Sequence, residues 1–128
     1  MPGQAKAVKS GQDLQRTVEQ LAVALGLGAR TNVNCGRRIW GPKRRIDVVI
    51  NDGKGQRLGV ECKYQATQGT AEEKILATLQ DIAHWPIPGI VVIDGEGFSE
   101  DMVGYLISTG KVILFEDLED WLRLYFGL

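Results

Sequence analysis

The stretch from Arg44 to Lys63 constrains this chain more than any other. It reads Arg-Arg-Ile-Asp-Val-Val-Ile, then a turn Asn51-Asp52-Gly53-Lys54-Gly55-Gln56, then Arg-Leu-Gly-Val-Glu-Cys-Lys. Gly, Asn and Asp in the turn tolerate positive φ, so the flanking runs Arg45 to Ile50 and Arg57 to Lys63 read as two strands of one hairpin. With the hairpin pivoting about Lys54, Asp47 stands opposite Glu61. Side chains alternate along a strand with period two, which puts Glu61 and Lys63 on one face and Val60 and Cys62 on the other. Two carboxylates and an ammonium then meet in one patch. Like charges facing each other across a hairpin repel, and a divalent cation is the natural compensation. Mg²⁺ suits such a site because it prefers carboxylate oxygens and retains waters. The competing arrangement is a salt-bridge ladder on a solvated face, but strands this rich in Val and Ile disfavour Asp.

At 128 residues and 44% hydrophobic content, the chain is read as one domain over residues 1–128, with residues 1–10 a flexible N-terminus. The opening residues lack an apolar h-region and no run of eighteen apolar residues occurs, so neither a signal peptide nor a membrane span is expected. A cytoplasmic setting is the expectation. Only Cys35 and Cys62 are present. Cys62 falls on an inward strand face, as unpaired structural cysteines do in a reducing compartment, so neither a disulfide nor a zinc site is expected.

A net charge of −1 conceals an asymmetry. Residues 1–63 carry twelve Lys/Arg against five Asp/Glu, and residues 64–128 carry three against eleven, so the halves stand at +7 and −8. The basic excess is densest at Arg37, Arg38, Lys43, Arg44 and Arg45, just ahead of Asp47, where it suits a polyanion. Read alone, the same cluster is also compatible with an ordinary solvated face.

The remaining periodicities supply the frame. Ser10-Gly11-Gln12-Asp13 reads as the start of a first helix whose Leu14, Val18, Leu21 and Leu25 recur at helical spacing until Gly26-Leu27-Gly28 stops it. A short strand is read over Thr31 to Cys35, and a further one over Arg37 to Trp40 before Gly41-Pro42. Thr70 with Glu73 forms a capping box for a second helix from Ala71, with Ile75, Leu76, Leu79, Ile82 and Ala83 as its buried stripe. The helix ends at His84-Trp85-Pro86. Gly89 to Ile93 is unbroken apolar sequence, the mark of a central strand buried on both faces. Ser99 caps a short helix over Asp101 to Ser108, Lys111 to Phe115 reads as a fifth strand, and Asp117 to Phe126 as a final amphipathic helix. A strand, a helix and a returning strand make a right-handed crossover. The expected fold is therefore α/β, a three-layer sandwich with a mixed β-sheet flanked by helices.

On Ile46-Asp47, Glu61-Cys62-Lys63 and the preceding helix with Glu19, the chain resembles the PD-(D/E)XK nuclease superfamily, over roughly Gln12 to Phe115. The Pro that usually precedes the Asp is Ile46 here. The resemblance implies a restriction-endonuclease-like core and a metal-dependent endodeoxyribonuclease. It implies that Asp47, Glu61 and Lys63 are catalytic, and that Asp47 and Glu61 hold Mg²⁺, with Mn²⁺ as a substitute, assisted by Glu19 and the Cys62 carbonyl. DNA would be contacted by Arg37, Arg38, Lys43, Arg44 and Arg45, with Gln65 and Lys74 as further candidates. Two other readings fit the same residues: a structure-selective Holliday-junction resolvase, or a non-catalytic nucleic-acid-binding or assembly subunit. A double-strand cutter of this size acts most economically as a symmetric dimer, and Trp121, Leu122, Tyr125 and Phe126 offer either its interface or a cap on the sheet. With no appended DNA-reading module in the sequence, targeting would come from loops or from a partner protein. The lone histidine, His84, and the absence of a phosphate-binding Gly-rich loop leave other hydrolytic chemistries without support.

Overall fold

A computed structural model describes residues 10–37, 43–66 and 71–128, with residues 71–73 described by their backbone only. Helix α1 (Gly11–Ala24) starts where Ser10 Oγ accepts the Asp13 amide at 3.1 Å. Leu14, Val18 and Ala22, spaced by four, form its buried face. The helix ends at Gly26, whose φ of +83° lets the Leu27 amide return to the Ala22 carbonyl at 3.0 Å.

Strands β1 (Gly28–Arg37), β2 (Lys43–Asn51) and β3 (Arg57–Tyr64) follow, then helix α2 (Ala71–Ile82), strand β4 (Gly89–Asp94), helix α3 (Glu100–Ser108), strand β5 (Val112–Leu114), a 3₁₀ turn and helix α4 (Leu118–Phe126). The five strands lie side by side in chain order. β1, β2 and β3 pair antiparallel, while β4 and β5 join parallel through the two crossovers. The Val48 to Val60 pairing centres the hairpin on Lys54, as the turn chemistry requires.

Each face of the sheet has its own core. On one side α1 and α4 cover Val48, Ile50, Val60, Cys62, Ile90 and Val92. On the other, α2 and α3 bring Ile75, Ile82 and Leu106 over Val91, Ile93 and Val112. β4 is buried from Gly89 to Ile93 because helices lie on both of its faces. The architecture is the three-layer α/β sandwich with a mixed sheet.

Several boundaries differ from the periodicities. β1 is one strand of ten residues because it pairs with β2 from Gly28 to Arg37, so Arg37 closes β1 rather than opening another strand. Arg38 to Trp40 and the proposed Thr70 cap lie outside the described residues. β5 shortens to Val112–Leu114, its reach set by pairing with Val91 to Ile93. In α2 the buried stripe is Ile75, Leu79 and Ile82; Leu76 faces outward and Ala83 lies past the helix end. The aromatic stripe of α4 belongs to the molecule's own core: Leu122 and Phe126 are buried against the sheet, and Trp121 stacks on Tyr125 at 5.1 Å beside them. Leu122 and Phe126 are thus not available as an interface, because the sheet face beneath α4 already consumes them.

Candidate active site

The site arises where the ladder fails. β1 and β2 pair from Gly28–Asn51 to Thr31–Val48 and resume at Val33–Ile46, omitting the opposed residues Asn32 and Asp47. Asn32 has φ of +53°, a left-handed conformation that Asn tolerates better than other residues with a side chain. The alternation along β2 inverts across this gap. Val48 and Ile50 face α1, whereas Ile46, an even number of residues away, belongs to the core under α2.

On the other side β2 and β3 pair only as far as Val48 and Val60. Beyond that point side chains replace the missing ladder bonds. The Asp47 amide donates to Glu61 Oε1 at 3.0 Å, and the Cys62 amide donates to Asp47 Oδ2 at 2.9 Å. The Asp47 carbonyl accepts from Gln15 Nε2 of α1 at 3.0 Å. Both backbone polar groups of Asp47 are therefore satisfied by side chains, which holds the strand open without leaving a buried donor or acceptor unmet.

This placement leaves two half-buried carboxyl groups together. Burial, and secondarily the Asp47 charge, push Glu61 up to about 7, with the Lys63 ammonium acting against that rise. Asp47 is also raised by burial, opposed by the Cys62 amide, by Lys63 and by a hydrogen bond shared with Glu61. The pair thus retains a proton well above the ordinary carboxylate range. Lys63 lies on the Glu61 face, half-buried, and makes no ion pair with either carboxylate.

The donor set fits a hard divalent cation. Two half-buried carboxyl groups, both raised by burial, stand where a cation would satisfy both, and oxygen is the ligand type such ions select. An N–H and a C=O of one strand residue point to the same edge, so the Cys62 carbonyl also faces the opening between β2 and β3. Among the described residues, no group of three or more His, Cys, Asp and Glu side chains gathers as a metal centre. Glu19 sits half-buried on α1, one turn after Gln15, whose side chain reaches the Asp47 carbonyl. Gln15 and Asn32 were not foreseen from the sequence; the signal available was a polar residue beside the Leu14-Val18-Ala22 face and an Asn in mid-strand.

The basic residues divide. Arg37, Lys43, Arg45 and Lys74 are exposed, and Arg38 lies outside the described residues. Arg44 is not a surface cation: its Nε donates to Asp81 Oδ1 at 2.8 Å and its Nη1 to the His84 carbonyl at 3.3 Å, tying β2 to the end of α2. Asp81 also accepts from Trp85 Nε1 at 3.2 Å. The Trp85 ring lies against Gly59 and Gly89, where an added Cβ would come within 2.5 Å of it. Gln65 is engaged as well, its Nε2 donating to the Gly97 carbonyl at 2.9 Å in the loop after β4.

Comparison with known proteins agrees with this geometry. The family profile of the PD-(D/E)XK nuclease superfamily domain matches residues 6–113. The chain belongs to that superfamily. Two solved structures share the fold. The crystal structure of the protein of unknown function AF1548 superposes with a TM-score of 0.56 at 23% identity, covering 78% of this chain and 54% of the other. Protein VC1899 from Vibrio cholerae gives a TM-score of 0.51 at 17% identity, covering 91% of this chain and 33% of the other. The chain therefore spans about half of one relative and a third of the other. No curated protein matches the sequence. No helix among the described residues is long and apolar enough to cross a membrane.

Proposed function

We propose that the protein is a Mg²⁺-dependent DNA endonuclease that hydrolyses phosphodiester bonds by attack of an activated water. The observation that carries this reading is the mutual bracing of Asp47 and Glu61 at the opening between β2 and β3, with Lys63 on the same face as Glu61. Asp47 and Glu61 would hold the cation, assisted by the Cys62 carbonyl and Glu19. When bound, the cation supplies charge stabilisation at the scissile phosphate and lowers the pKa of a coordinated water. Lys63 orients that water and neutralises charge that builds on the phosphoryl oxygens, for which a compact ammonium is suited. The backbone bonds from Asp47 and Cys62 fix both carboxylates before substrate arrives, so little reorganisation is left to the reaction. Arg37, Lys43, Arg45 and Lys74, all exposed, contact the DNA backbone. Two copies acting together would cut both strands of a duplex.

Incubation with supercoiled plasmid and with four-way junctions, in Mg²⁺, Mn²⁺ or EDTA, tests this. Nicking or linearisation that needs the metal and disappears in Lys63→Ala is expected. Equal inactivity of a folded sample in all three conditions would refute the reading.

A further inference from the structure

The two helices on the α2 side do not cover the whole sheet. α2 lies over β3 and β4 and α3 over β5, while α1 covers β1, β2 and β3 from the other side. Among the described residues, no helix covers the face of the β1–β2 hairpin on the α2 side. A groove of about 550 Å³ runs along it, bounded by Pro86 and Ile87 after α2. Its floor is apolar, formed by Val33, Ile46, Val49 and Ile87, and Arg30 and Arg57 stand on its rim. The described residues that line it include no Asp or Glu. Across the pair skipped at Asn32 and Asp47, Val33 and Ile46 come to line the same groove as Arg30 and Val49.

The groove lies on the sheet face that carries Glu61, since Val60 and Cys62 belong to the core under α1 while Ile46 and Val49 belong to the opposite one. Ile46 in its floor adjoins Asp47 in the chain, and Cys35 forms part of its wall. Its size falls in the range of about 300–1,000 Å³ that accommodates small organic groups, and is too small for a duplex. An apolar floor suits the face of an unstacked base, and guanidinium groups at the rim suit both stacking and phosphate contact.

We infer that this groove binds an unpaired nucleotide flanking the phosphate held at Asp47 and Glu61, so that the substrate strand is splayed or single-stranded there. This rests on the nuclease reading above, and its test has a readout that does not require cleavage. Cys35 is half-exposed in the groove wall and Cys62 is buried, so a maleimide reports on Cys35. The full chain is alkylated in Ca²⁺ with and without a short single-stranded oligonucleotide or a blunt duplex of the same sequence. The single strand should slow labelling at least fivefold and the duplex much less. The double variant Arg30→Ala with Arg57→Ala, both exposed positions, should lose that protection and bind the single strand roughly tenfold more weakly at low salt. Protection by duplex and single strand alike, or protection surviving in the double variant, overturns the inference. So does labelling that slows with protein concentration alone, which would mean a second copy fills the groove. Metal-dependent cleavage with an unprotected Cys35 would leave the nuclease reading standing while removing the groove from it.

Discussion

Asp47 and Glu61 brace each other where β2 and β3 part: the Asp47 amide donates to Glu61, and the Asp47 carboxylate accepts from the amide of Cys62, the residue beside Glu61. Each carboxylate is thereby positioned by the other strand's backbone or by the other residue's own peptide group. The charges are held together by ladder geometry rather than by attraction between them, and the raised Glu61 shows the electrostatic cost of that arrangement.

Replacing either carboxylate by its amide separates charge from geometry. Asp47→Asn and Glu61→Gln each keep an oxygen that can accept the same backbone N–H, so both variants should fold with an unchanged circular dichroism spectrum. Each should lower DNA cleavage by at least about two orders of magnitude, since the amide binds a hard cation poorly. Plasmid-nicking rates beside thermal melts check this.

The raised Glu61 makes stability depend on pH with a definite sign. Its ordinary value is 4.5 and the folded value is about 7, so between these limits the folded state holds a proton that the unfolded chain has released. The contribution is fully present below pH 4.5 and is lost as pH rises through about 7. On the order of 3 kcal/mol is at stake over that window. Urea unfolding at pH 5 and pH 8 should show the wild type losing more stability than Glu61→Gln across the interval. Identical pH slopes for the two proteins would contradict it.

The same buried carboxyl pair predicts linkage to divalent ions independent of any cleavage. At pH 8, Ca²⁺ or Mg²⁺ at a hundredfold excess over its dissociation constant should stabilise the protein by roughly 2.7 kcal/mol. At pH 5, where the pair holds a proton, the effect should shrink, because the ion must displace it. Differential scanning calorimetry with and without EDTA measures both, and Asp47→Asn should abolish the response.

Much of this site could be read before the fold was known. The turn Asn51 to Gln56 fixed the pivot, the pivot faced Asp47 with Glu61, and period two put Cys62 into the core and Glu61 outside it. These are local consequences of turn chemistry and alternation. What escaped was non-local. Alternation along β2 predicts one face for Ile46, Val48 and Ile50, and the structure breaks it at Asp47, where the pairing with β1 skips Asn32, a residue of another strand in a left-handed conformation. Arg44 looked like part of a basic surface because nothing near it in sequence reveals that Asp81 meets it across the sheet. Gln15 was invisible for the same reason: its partner is a backbone carbonyl on β2, and a peptide group carries no sequence signature.

Gln15 is a positioning residue by this geometry, and its removal should loosen Asp47 without touching substrate. Gln15→Ala deletes one half-buried hydrogen bond and should cost about 1 kcal/mol. Its effect on turnover should exceed its effect on KM, since the lost constraint acts on the carboxylate's placement rather than on DNA affinity. Gln15→Glu should be worse than Ala in both respects, because a carboxylate would face the Asp47 carbonyl with no proton to donate. Steady-state nicking kinetics of the two variants distinguish positioning from a merely structural contact.

Adjacent arginines on β2 should give opposite results. The Arg44 and Asp81 side chains are only 14% and 18% exposed, and their ion pair joins β2 to α2 beside the Trp85 ring that covers Gly59 and Gly89. Arg44→Ala leaves a half-buried carboxylate without its guanidinium and should cost about 2 kcal/mol, less than a fully buried pair because some solvent reaches it. Arg45 is exposed, so Arg45→Ala should change stability by no more than about 0.5 kcal/mol. If Arg45 meets a phosphate, its loss should weaken DNA binding several-fold and reduce the salt dependence by about one counterion. Chemical denaturation and salt-dependent binding titrations of the two variants separate a structural arginine from one that meets DNA.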